Sequence, residues 1–156
     1  MQEATTGPPA FSVIRTPAES ALQVLGYRLR KSESPTKTLV SHVRNGITVT
    51  KVSAVADYAG VEPKVINRII KLPERTAARK KAEHKPLDTE QSDRLARIAR
   101  ILGLANHVLE SKEAAQRWLN KPNRVLGAAP LDLLDTDIGT EQVESVLTRI
   151  EYGVYS

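Results

Sequence analysis

The sequence predicts an all-α protein, and three observations predict it. Apolar residues recur at helical spacing: Val143, Val146, Leu147 and Ile150 fall at i, i+3, i+4 and i+7, while Glu141, Glu144, Ser145, Thr148 and Arg149 lie off that face. Glycines close such stretches repeatedly, at Gly46, Gly60 and Gly153. Prolines stand in polar breaks or where a helix can begin, as Pro35, Pro63 and Pro73 do.

Taken in order, residues 1–20 carry Gly7, Pro8, Pro9 and Pro17 with little periodicity, which predicts a mobile arm. Leu22, Leu25 and Leu29 predict a short helix over Ala21–Leu29, and Ser32–Thr36 is a polar break. Leu39 and Val43 share a face of the next helix, closed by Gly46. Thr50 can cap another, in which Val52, Val55, Ala56 and Ala59 point inward before Gly60. Glu62–Ile70 follows, with Pro63 in its first turn and Val65, Ile66, Ile69 and Ile70 as its apolar face. A break at Lys71-Leu72 leads to a basic helix over Pro73–Lys81.

A long spine runs over Thr89–Leu109, where Leu95, Ile98, Ala99, Leu102 and Leu109 form a stripe and Arg94, Arg97 and Arg100 turn largely elsewhere. The stripe reads most simply as core, and part of it can serve as a dimer seam. Ser111 caps a helix with Ala114, Ala115, Trp118 and Leu119 inward, and Trp118 reads as a core anchor. Thr136 or Asp137 caps the last helix, where Asp137, Glu141 and Glu144 suit the positive end of the dipole.

Composition bounds the function. The chain has 156 residues, 40% hydrophobic but only 4% aromatic, so one or two small domains with an aliphatic core are expected. With no cysteine there is no disulfide framework, thiol nucleophile or thiolate metal site, which agrees with a reducing compartment. No signal-like segment is seen and no apolar run approaches the ~20 residues that span a bilayer, so a cytoplasmic protein with no membrane partner is expected. Residues 61–86 hold eight basic side chains against three acidic, whereas from Pro130 onward six acidic face one basic. Two surfaces of opposite charge predict two partners, the basic one a polyanion.

Short helix, short turn, short basic helix is the arrangement of a helix-turn-helix, whose second helix enters the major groove. Arg75, Thr76, Arg79, Lys80 and Lys81 are the candidate DNA-binding residues, with Arg75 and Arg79 on one face. Arginine pairs bidentately with guanine, threonine touches a base edge or methyl, and lysine suits phosphate. Because helix-turn-helix proteins commonly bind paired half-sites, a homodimer is expected.

Catalytic signals are missing. His42, His84 and His107 stand far apart in no HExxH pattern, and there is no glycine-rich phosphate cradle or serine elbow. Asp132, Asp135 and Asp137 lack the spacing of a calcium loop and read as helix caps and dipole partners. No enzyme activity, cofactor or metal is expected.

The block WLNKPNRVLG, then PLDLLDT, then the closing RIEYGVYS, resembles the toxin-binding domain of the MbcA/ParS/Xre antitoxin family, partners of RES-domain toxins. LPERTAARKK followed by PLDTEQSDRLARIARIL is similar to the Xre-type helix-turn-helix of the same family, and the likeness runs from about Thr38 to Ser156. It implies an Xre-like DNA-binding domain (21–110) followed by a small helical toxin-binding domain (111–156), an NAD-consuming toxin as partner, and a C-terminal tail that obstructs the toxin's active site. Val143, Val146, Leu147 and Ile150 then form the expected toxin-docking face, with Tyr152 beside them; Gly153, Val154, Tyr155 and Ser156 form the plug, whose carboxylate would take cationic donors. Binding to its own promoter is also implied. The chain departs from the family pattern at Arg124-Val125, where Pro-Ala is usual, at Ala128, where a glycine is common, and at Leu72, where a serine cap is usual. The rival expectation is a stand-alone regulator whose C-terminal part only oligomerises.

Overall fold

A computed structural model describes residues 15–153, and among them the protein is helical throughout, with one isolated bridge between Thr48 and Pro86 and no strand. Helix α1 spans Pro17–Leu25. Thr16 accepts a hydrogen bond from the Glu19 N–H at 3.2 Å, Pro17 opens the first turn, and Gly26 ends the helix at φ 78°. The helix therefore starts within the stretch expected to be a mobile arm and stops short of Leu29, because the cap and the glycine decide its ends.

Helices α2 (Pro35–Asn45), α3 (Lys51–Ala59), α4 (Pro63–Ile69) and α5 (Glu74–Ala82) come next in short steps. Ser34 caps α2 through the Lys37 N–H. Thr50 stands at the N-cap of α3 but makes no side-chain cap, since its own backbone is already helical at φ −59°, ψ −22°. Of the residues predicted to point inward from α3 and α4, Val52, Val55, Ala56, Ala59, Ile66, Ile69 and Ile70 are buried and Val65 is half-buried.

Helix α6 (Thr89–Leu109) is the spine, in contact with α1, α2, α3, α7 and α8. Asp88 and Gln91 form a reciprocal capping box at its start, with Asp88 accepting from the Gln91 N–H at 2.7 Å and Gln91 from the Asp88 N–H at 3.3 Å. Leu95, Ile98, Ala99 and Leu102 are at most 1% exposed within one chain. These four are core, while Leu109, the last of the stripe, is half-buried and lines an open groove. Gly103 is more than a tolerated residue: a Cβ there would stand 2.6 Å from the Ser20 Cβ, so the glycine is what lets α1 cross α6 this closely.

Helix α7 (Lys112–Asn120) is capped by Ser111, which accepts from the Ala114 N–H at 2.9 Å. A 3-10 turn, Pro130–Asp135, leads to α8 (Asp137–Glu151), capped by Thr136 through the Gly139 N–H at 3.0 Å. Helices α6 and α8 run side by side in the same direction, joined by Arg97–Asp137 at 2.6 Å, Arg100–Glu144 at 2.8 Å and His107–Glu151 at 3.3 Å. Arg97 and Arg100, two of the three arginines expected to turn away from the core, thus tie the two helices together. One continuous core runs from Ala21 through Leu102 to Leu147, so the boundary expected near residue 110 divides the chain without dividing its core.

Candidate functional site

The first candidate surface is the pair α4 and α5. Between them Lys71 takes a left-handed conformation, φ 60°, and Leu72 drops into the core at 3% exposure, its N–H bonded to the Asn67 carbonyl at 2.8 Å. Pro73 occupies the N-cap of α5 with no side-chain cap, so Leu72 stands one residue before the cap position expected of it and anchors the start of α5 by burial. The turn is held from α6: the Gln91 amide reaches the Lys71 carbonyl at 3.5 Å and Arg94 the Ile70 carbonyl at 3.4 Å. Nearby, the buried Ser92 hydroxyl accepts from the Ile47 N–H at 2.9 Å. At the far end Lys80 donates to the Pro86 carbonyl at 2.9 Å, next to the Thr48–Pro86 bridge.

These ties set the orientation of α5. Arg75, Arg79 and Lys81 are exposed and make no ion pair among the described residues. Thr76 and Lys80, expected beside them at the DNA, are half-buried on the inner side, and Lys80 is occupied by the loop carbonyl. Two further cations flank the surface. Lys64 is held by Glu62 at 2.9 Å, a hydrogen bond that raises the lysine pKa, and Arg68 reaches Asp132 of the 3-10 turn at 3.8 Å.

The second candidate surface is α8. Val143 and Leu147 are fully buried and Val146 is 3% exposed, with Ile150 half-buried behind them. This corrects the expected docking face for Val143, Val146 and Leu147, which face α6 and the 3-10 turn inside the protein's own fold, and leaves Ile150 as its one half-open member. The face left outward carries Ile138, Glu141, Gln142, Ser145, Arg149 and Tyr152. Its two ends are apolar and open, Ile138 at 73% and Tyr152 at 74% exposure. Ile138 was missed by sequence reasoning because it lies off the stripe that helical periodicity selects. Its signal is that it is the one large aliphatic on the polar side of that helix.

Beyond Tyr152, Gly153 turns left-handed at φ 66° with open space around it. Val154, Tyr155 and Ser156, the rest of the expected plug, lie outside the described residues. Trp118 packs against the core as expected but is only half-buried, and its open side lines a groove of about 290 Å³ with Leu109, Arg117, Lys121 and Pro122.

Among the described residues no group of His, Asp and Glu is placed to hold a metal ion, and no helix is long and apolar enough to cross a membrane.

Comparison with known proteins matches residues 38–100 to the family described as the antitoxin Xre-like helix-turn-helix domain. Residues 104–153 match the antitoxin Xre/MbcA/ParS C-terminal toxin-binding domain. The chain is 33% identical over 114 residues to an "Antitoxin Xre" of Pseudomonas putida, a likeness covering 72% of this chain and 70% of that one. An "Antitoxin Xre" of Yersinia enterocolitica is 28% identical over 76% of this chain and 81% of its own. A "Prs ADP-ribosylating antitoxin" of a Sphingobium species is 27% identical over 73% of this chain and 78% of its own. The two family matches meet inside α6, the helix that both candidate surfaces lean on.

Proposed function

Since the chain belongs to the Xre antitoxin family, we propose that it neutralises a RES-type toxin that consumes NAD. It holds the toxin with the outward face of α8 and obstructs the active site with the residues beyond Tyr152. As a homodimer it also binds its own promoter through α5.

The observation that carries the toxin reading is the end of α8. A helix whose inner face is sealed in the core presents an exposed Tyr152, and the next residue is a left-handed glycine with nothing among the described residues within 4 Å of the position of its missing side chain. At Gly153 the chain thus stands clear of the body, as a plug requires. Ile138 and Tyr152, fourteen residues apart, stand about 21 Å apart along the helix axis at 1.5 Å per residue, far enough for two separate anchors on a partner. Buried apolar anchors within a polar surround are the usual source of binding energy in protein interfaces. One relative carries ADP-ribosylation in its name. Transfer of ADP-ribose draws on NAD, which agrees with an NAD-consuming partner.

The test measures NAD over time with the candidate RES-type toxin alone, with the full chain, with the chain ending at Tyr152, and with Ile138→Glu. The full chain is expected to protect NAD, and the shortened chain to bind the toxin without protecting. Ile138→Glu is expected to bind at least tenfold more weakly, the scale of losing one anchor. Protection by the shortened chain would remove the plug and leave inhibition with the helix face. Protection by neither form would remove the toxin assignment.

A further inference from the structure

The exposed face of α5 has a pattern that its charge alone does not describe. Arg75, Ala78, Arg79 and Ala82 fall at i, i+3, i+4 and i+7 and are all exposed, while Thr76, Ala77 and Lys80 turn inward. Leu72 at one end and the Lys80–Pro86 hydrogen bond at the other fix this rotation. The outward stripe therefore alternates the longest cationic side chain with the shortest apolar one. Two alanines at its low points let the helix backbone approach the floor of a groove closely.

We infer that α5 reads a half-site in which guanines alternate with thymines, Arg75 and Arg79 taking the guanines and Ala78 and Ala82 the thymine methyls. This rests on the reading of α5 as the DNA-contacting helix. The chemistry comes from the groove. Guanine presents two acceptors, N7 and O6, that match the arginine fork, and the C5 methyl of thymine is the one apolar group on the major-groove edge. An alanine methyl has no donor or acceptor, so opposite an amine or an unpaired carbonyl it leaves a polar group desolvated and unsatisfied. Opposite a thymine methyl it buries apolar surface on both sides. Glu74, exposed beside Arg75, is a poor neighbour for a phosphate and a good acceptor for a cytosine amine, which agrees with a G·C pair at that end.

The length sets the footprint. From Arg75 to Ala82 the helix rises about 10 Å at 1.5 Å per residue, which spans roughly three base-pair steps of 3.4 Å. The alternation thus fits within about four consecutive base pairs.

The experiment uses the full chain and a pool of duplexes with a randomised core, selected for binding at fixed salt. The enriched sequence is expected to hold guanine and thymine interleaved within four base pairs. In that duplex each thymine is replaced by deoxyuridine, which removes the methyl and nothing else. Binding of the natural chain is expected to weaken about fourfold per contacted thymine, the scale of one buried methyl group. Ala78→Ser, at an exposed position that tolerates the change, is expected to bind the thymine and uracil duplexes alike at its own step while melting like the natural protein. Arg75→Ala is expected to lose about 10- to 100-fold on the selected duplex.

Equal binding of thymine and uracil duplexes by the natural chain, with Arg75→Ala still weakened, would overturn the alanine readout and leave α5 as the reader. No enriched sequence, with Arg75→Ala and Arg79→Ala binding like the natural chain, would overturn both this inference and the DNA reading it rests on.

Discussion

Helix α8 seals Val143, Val146 and Leu147 inside the protein, whereas α5 fully buries none of its nine residues. Both helices carry a proposed partner surface, yet they are held by different forces. Burial of an aliphatic face, two ion pairs and the His107–Glu151 contact to α6 set the position of α8. The position of α5 is set by its neighbours: Leu72 before it, the α6 side chains on the turn, and Lys80 on a loop carbonyl. A helix held by packing can change its outward residues at no cost to the fold. A helix held by a few hydrogen bonds keeps its fold contribution small and depends on those bonds for its aim.

The largest effect that tests this contrast is on stability. Leu147→Ala removes a fully buried leucine side chain and should cost about 2–5 kcal/mol. For a chain of this size that lowers the melting temperature by roughly 5–15 °C. Arg79→Ala, on the exposed side of α5, should stay within about 0.5 kcal/mol. Thermal melting of the two variants side by side checks the contrast. If Arg79→Ala melted as early as Leu147→Ala, the picture of α5 as a lightly packed helix would be wrong.

A middle-sized effect should separate aim from stability. Gln91 is 8% exposed and serves both the capping box and the Lys71 carbonyl. Its replacement by alanine removes two side-chain hydrogen bonds and should cost about 1–2 kcal/mol. Operator affinity should fall further than that because the turn before α5 loses a tie, while toxin binding should not change. Fluorescence anisotropy with DNA and calorimetry with toxin measure the two arms. Equal losses in both would mean that Gln91 acts through the common core alone.

Much of this arrangement was legible in the sequence. The inward residues of α3 and α4, the glycine after α3 and the α7 cap come from spacing and cap chemistry, which are local. What was hidden depends on what lies opposite. Helical spacing groups Val143, Val146 and Leu147 on one face but cannot say whether that face meets α6 or a partner, and here α6 and the 3-10 turn cover it. Arg97 and Arg100 look like solvent residues until α8 brings Asp137 and Glu144 beside them. Gly103 looks like a weak point until α1 crosses it at Ser20. Thr76 and Lys80 share a basic segment with Arg75 and Arg79, and only the rotation of α5 distinguishes them.

The smallest expected effect is a pH response at α2, within the helix-turn-helix domain. His42 stacks on Tyr27 with ring centroids 3.8 Å apart, and Lys51 lies 4.4 Å over the same tyrosine ring. Partial burial, and then the nearby Lys51 charge, lower the His42 pKa below its ordinary 6.5, and Glu33 opposes them in part. The folded protein therefore takes up this proton less readily than the unfolded chain does. The stabilising contribution of neutral His42 is present above the unfolded value of 6.5 and is lost as pH falls through the lower folded value. Melting should come slightly earlier near pH 5 than near pH 7. His42→Phe, which keeps a ring against Tyr27 and removes the proton site, should shrink that difference. An unchanged difference in His42→Phe would place the acid sensitivity elsewhere, and would leave the Tyr27–His42 stack as packing between α2 and the chain just after α1.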